Sequence, residues 1–213
     1  VPNPTLSKLQ KQLREKFPMA RHGHATPISS PQPDFDPRNP ATIPRGGITE
    51  IVPTDPAAGL SLIVASMLAH EPAHTSVPEL ALIDGHDSFD PCSFSPDECS
   101  KLLWIRCQTP EQSIKAADLI LRDGNLPRVV IDLIAFPFSD LRKIPNSSWH
   151  RLKQLIETNN LSMIVFSPHA LLPCAQTRLS MHSGFGLKHL TCTRSELISQ
   201  LRAAPVLQRI RAR

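Results

Sequence analysis

A turn that cradles a triphosphate follows the pattern G-x-x-x-x-G-K-[ST]. The glycines let backbone amides wrap the phosphate, the lysine meets the β- and γ-phosphates, and the hydroxyl binds magnesium. In the segment PTDPAAGLS, residues 53–61, Gly59 and Ser61 fill the last glycine and hydroxyl positions. Leu60 stands where the lysine belongs, Pro53 or Thr54 where the first glycine would be, and Asp55 lies inside the turn. The frame for phosphate chemistry is present and its cation is absent. We therefore expect no ATP or magnesium cofactor and no catalysis.

Two further groups have chemistry at the same kind of position. In VVIDLIAF, residues 129–136, an apolar strand carries Asp132. Such an acid can hold a magnesium-bound water, cap the following helix or pair with an arginine. His86 and Asp87 follow another apolar run, ELALID at 79–84. His86 has the intrinsic proton affinity of a general base at neutral pH, or it is a loop histidine at a sheet rim. The five cysteines, Cys92, Cys99, Cys107, Cys174 and Cys192, never adopt C-x-x-C spacing, so no zinc site is expected. A reduced, cytoplasmic setting fits them best. No run of about 18 apolar residues predicts a membrane span. Gly184, Phe185 and Gly186 read as a turn at a strand end.

The elements that must hold these groups follow from periodicity. Apolar runs at 48–52, 79–84, 102–107, 129–135 and 161–167 predict strands. Between them, TPEQSIKAADLILRDG predicts a helix that starts at a Thr109–Gln112 capping box and closes at Gly124. Further helices are expected from about Leu60 and over 147–158. Short strands are expected within 176–190. Strands alternating with helices of this length imply a mostly parallel sheet covered on both faces, with ligands at the C-terminal strand ends. The phosphate-like turn, Asp84 to His86 and Asp132 all fall at those ends.

The ends of the chain differ from its middle. Thr5 caps a predicted amphipathic helix within residues 1–22, with Leu6, Leu9, Leu13 and Phe17 on one stripe. Residues 23–44 hold six prolines and read as an extended arm. The body is then 45–193, and 194–213 is a basic tail in which 195–213 predicts a basic amphipathic helix carrying Arg202, Arg209, Arg211 and Arg213. Residues 1–24 and 194–213 each carry a net +4, which leaves −4 on the middle of a chain whose total is +4. A body of that sign is a poor nucleic-acid platform, so DNA is expected only weakly, through the basic ends.

The order of these pieces resembles the RecA-type recombinase core over roughly residues 44–190. PRGGITEI is similar to the strand entering the phosphate loop. LALIDGHDSFDP resembles the family's acidic strand end, with Ile83, Asp84, Asp90 and Pro91 in place. LLWIRCQTPEQSIKAADLILRDGNLPRVVIDLIAF parallels the next strand, helix and acid-bearing strand. The resemblance implies a RecA-like P-loop fold with a degenerate nucleotide loop. Leu60 replaces the family's lysine and His86 its catalytic glutamate. The segments after Asp132 and Ser167, where recombinases place DNA-binding loops, are short. This degenerate pattern is similar to accessory proteins of inducible (SOS) mutagenesis of the ImuA type, and also to SulA-type division inhibitors. The ImuA resemblance implies a polymerase-like partner of the ImuB type, with a recombinase or error-prone polymerase nearby. In that reading Leu6, Leu9, Leu13, Phe17 and the four tail arginines bind partners. A weak ATPase using Ser61, Asp132 and His86, with Lys101 or Lys143 as a borrowed cation, is the enzymatic alternative.

Overall fold

A single sheet organises the structure, and its strands owe their places to runs of apolar residues too continuous for a one-sided sheet. The computed structural model describes residues 36, 39, 42–55, 59–69 and 78–206. Leu6, Leu9, Leu13, Phe17, Arg209, Arg211 and Arg213 lie outside them, as do most of the proline-rich arm and residues 56–58 of the phosphate-like turn.

In chain order the elements are β1 (Gly47–Pro53), α1 (Leu60–Ala69), β2 (Leu80–Gly85), α2 (Pro96–Ser100), β3 (Leu102–Cys107), α3 (Pro110–Asp123), β4 (Arg128–Asp132), α4 (Phe138–Leu141), α5 (Asn146–Asn159), β5 (Ser162–Phe166), β6 (Thr177–His182), α6 (Arg194–Gln200) and β7 (Arg202–Pro205). The seven-stranded sheet has the order β3-β2-β4-β5-β1-β6-β7. All neighbours are parallel except β6 and β7. The α/β fold class expected from the alternation of elements is the one observed.

Side chains alternate across a strand, so each strand feeds two cores. Ile48, Ala81, Ile83, Val129, Ile131, Met163 and Val165 join one cluster, with Leu121 of α3 and Trp149 of α5. Ile51, Leu80, Leu82, Val130, Ile164 and Phe166 join the other, with Ile63 and Met67 of α1 and Leu201 beyond α6. By the same parity Asp84 continues the Leu80–Leu82 row, and Asp132 stands opposite it in register on the neighbouring strand.

Helix ends are written locally. Thr109 caps α3 by accepting from Gln112 N at 3.2 Å, and Gly124 closes it in the left-handed conformation. The capping box is half made. The Gln112 side chain reaches one residue further back, to Gln108 N at 2.7 Å, rather than to Thr109.

The C-terminal segment differs from expectation. The basic helix anticipated over 195–213 ends at Gln200, and Arg202–Pro205 form an edge strand against β6. Leu201 is the cause. It is 1% exposed in the α1-side core, and its extended backbone breaks the helix to deliver it there. Pro205 also cannot continue a helix interior. Arg202 itself is exposed and donates to the carbonyls of Ser199 and Leu201 at the end of α6. Within 176–190 the described strand is β6 alone, and Gly184–Gly186 follow its end as irregular chain rather than the turn expected.

Candidate functional site

The C-terminal ends of β1, β2 and β4 form one rim of the sheet. The turn after β1 and Asp132 of β4 are separated by β5, two strand spacings or about 10 Å. Asp84 and Asp132 are on adjacent strands.

At the first position, the phosphate-like turn is tied to the chain's own body. Asp55 Oδ2 lies 2.8 Å from His182 Nδ1, and Asp55 Oδ1 accepts from Ser183 Oγ at 3.4 Å. Thr54 Oγ1 donates to the Met181 carbonyl at 3.0 Å. Gly59 has φ +76, and a Cβ there would come within 2.7 Å of Leu201 Cδ2 and 3.2 Å of Phe185. Only glycine fits that backbone beside those two side chains. Leu60 packs against the α1-side core, and Ser61 is exposed one residue on. An anion at this helix start would find backbone amides, no cation among Gly59, Leu60 and Ser61, and a nearby carboxylate in Asp55.

The lysines considered as substitutes are elsewhere. Lys101 is buried and donates to the Leu68 carbonyl at 3.3 Å, near the far end of α1. A ten-residue helix separates that end from the turn by about 15 Å. Lys143 pairs with Asp140 beyond α4.

At the second position, Asp84 is 0% exposed and accepts four hydrogen bonds. Ser88 N and Ser88 Oγ donate to Oδ1, both at 2.8 Å, while Phe89 N (3.1 Å) and Trp104 Nε1 (3.0 Å) donate to Oδ2. These bonds fold residues 86–89 down onto the rim. His86 and Asp87 take positive φ values of 69° and 60° as the chain turns. The His86 ring lies 5.0 Å from Phe136, and Asp87 pairs with Arg106 of β3 at 2.6 Å. His86 is thus exposed and set against an aromatic ring, the arrangement of a rim histidine.

Asp132 is partly buried, and among the described residues neither an arginine nor a helix start takes it. Its Oδ1 accepts from Ile134 N at 2.9 Å, and its Oδ2 meets Ser88 Oγ at 3.0 Å. Burial pushes its carboxyl above the usual range, and the Asp84 charge adds to that, against the lowering effect of Ile134 N–H and Ser88. Gly85 lies beside this pair, and a Cβ there would collide with the Asp132 carbonyl and the Phe136 ring. Gly85→Ala should cost about 1–3 kcal/mol of folding stability, because a backbone carbonyl cannot yield as a flexible side chain would. Urea unfolding followed by circular dichroism measures it.

Three functions of polar residues escaped the sequence reading. Ser88 bridges the two acids, His182 anchors Asp55, and Glu50 of β1 forms a buried ion pair with Arg178 of β6 at 2.5 Å. A signal existed for the last: ITEIV puts a charge inside a strand read as doubly covered, and TRLSM puts one inside a segment read as short strands. Ser88 and His182 left no such mark. Among the described residues no group of three or more His, Cys, Asp or Glu side chains is placed to hold a metal ion. Among them, too, no helix is long and apolar enough to cross a membrane.

No protein-family model matches the chain, and no curated protein matches it. Among solved structures it is similar to the crystal structure of the RadB recombinase, with a TM-score of 0.50 and 13% identity over 65% of this chain and 76% of that one. The fold is RecA-like. At this identity the likeness speaks for architecture alone. It supports a RecA-like frame whose phosphate turn, in this chain, carries Leu60.

Proposed function

We propose that this chain is a non-catalytic RecA-like scaffold in DNA-damage-induced mutagenesis and translesion synthesis, working in the cytoplasm and binding a polymerase-like partner of the ImuB type. Leu60 carries the reading. A partly buried apolar side chain, packed against the core, stands where the fold's triphosphate cation would be. The tie between Asp55 and His182, and the packing of Leu201 and Phe185 on Gly59, support it. The ImuA-like PRGGITEIV entry, together with the N-terminal stripe, the proline-rich arm and the basic tail, supplies the cellular context.

In this reading the sheet is a rigid frame, and the partner is gripped by the amphipathic N-terminal residues and the basic C-terminal arginines. Isothermal titration of the full chain with ATP and Mg²⁺ is expected to show no saturable heat. Saturable micromolar binding would end the proposal. Pull-down with an ImuB-type protein tests the partner. Removal of 207–213 together with Arg202→Ala is the suitable variant, because 194–206 supply a helix and an edge strand to the body. Retention is expected for the intact chain and loss for the variant, and unchanged capture would refute the role of the tail.

A further inference from the structure

A serine hydroxyl has one proton to donate and lone pairs to accept with. Ser88 Oγ sits 2.8 Å from Asp84 Oδ1 and 3.0 Å from Asp132 Oδ2. It has one proton, so a full-strength bond from Ser88 reaches only one of them. The second contact becomes a full-strength bond when that acid carries a proton and donates it to Ser88 Oγ.

The surroundings say which. Asp84 receives three other donors, Ser88 N, Phe89 N and Trp104 Nε1, so its two oxygens are already used as acceptors. Asp132 receives one, Ile134 N on Oδ1, and its Oδ2 has no further donor than the disputed hydroxyl. The charge acting on Asp132 is that of Asp84 from β2. On the loop, Asp87 is engaged by Arg106 of β3, and the His86 ring is against Phe136. On the β5 side the residue in register is Phe166. No cation faces the pair in these contacts.

We propose that Asp132 is a neutral hydrogen-bond donor, directing its O–H at Ser88 Oγ, which donates in turn to Asp84, so that this chain of bonds latches residues 86–89 to the sheet rim. A magnesium ligand at this position has to be a carboxylate with an open oxygen. A protonated acid whose Oδ2 is spent on Ser88 does not fit that role. The inference is independent of whether nucleotide binds the turn after β1.

Proton linkage gives the test its sign. An acid whose folded value is raised keeps a proton that the unfolded chain releases. Its contribution is fully present below the unfolded value and is lost as pH rises toward the raised folded value. Asn is the neutral isostere: its amide NH₂ can donate to Ser88 while its oxygen accepts from Ile134 N–H. Asp132→Asn should therefore fold at acid pH much as wild type does. Its unfolding midpoint relative to wild type should climb as pH rises above the free carboxylate range. A difference that stays flat, or falls, with pH would overturn the proposal.

The second measurement needs no stability comparison. The ¹³C carboxyl resonance of Asp132 in the full chain, assigned by its loss in Asp132→Asn, should titrate above the free-aspartate range. It should not move when millimolar Mg²⁺ is added. A midpoint at or below the free value, or a magnesium-dependent shift, refutes the neutral donor.

Discussion

Glu50→Ala is expected to remove about 3–5 kcal/mol of folding stability, the cost of leaving one member of a buried ion pair alone. Glu50 is 0% exposed, and Arg178 is 6% exposed. Glu50 Oε1 accepts from Ser167 Oγ (2.8 Å), Leu171 N (2.6 Å) and Leu172 N (3.1 Å), while Oε2 takes Arg178 Nε. Truncation strands the guanidinium, which keeps only the Leu172 carbonyl at 2.7 Å, and three further donors lose their acceptor. A domain of ordinary stability holds about 5–15 kcal/mol in total, so the variant should be largely unfolded in mild urea. Replacing both residues by methionine should recover the part of the loss that comes from the unpaired charge, while Ser167 Oγ, Leu171 N and Leu172 N stay without their acceptor. Equilibrium urea unfolding of the two single variants and the double variant checks this. A Glu50→Ala midpoint close to wild type would show that the pair does not hold the β1, β5 and β6 ends together.

Trp149→Ala should cost a similar amount by a different route. Trp149 is 1% exposed on α5 and belongs to the cluster that joins α3 and α5 to the sheet. Removing a buried indole loses its transfer free energy and leaves a cavity that a close-packed interior fills only in part. The combined cost is about 3–5 kcal/mol. No volume-conserving partner can rescue it as methionine can rescue the ion pair. Thermal unfolding by calorimetry measures the loss. If partner capture tracks the frame, as the scaffold proposal requires, capture should fall with the folded fraction in both variants. The two substitutions are on different elements, and a double variant measures how far their effects add.

The sheet was legible because its signals are local. LALID, VVID and SMIVF are runs whose neighbours in sequence are also their neighbours in the strand, and Thr109 and Gly124 mark a helix within 16 residues of each other. Leu60 was legible for the same reason, since one apolar residue interrupts a pattern read along the chain. The C-terminal helix was misjudged because Leu201 and Pro205 break a basic amphipathic pattern for a reason visible only in three dimensions: Leu201 is needed in the core beside α1.

Sequence by itself thus determined that this protein is an α/β chain, that Leu60 stands in its phosphate-like turn, and that acids stand at the strand ends. Only the tertiary structure decided what those acids do. Glu50 meets Arg178 across 128 positions, Asp55 meets His182 across 127, and Ser88 reaches Asp132 across 44. Contacts at such separation are chosen by strand order and register. A carboxylate's state of charge then follows from how many donors the fold brings to it, a number that no local pattern encodes.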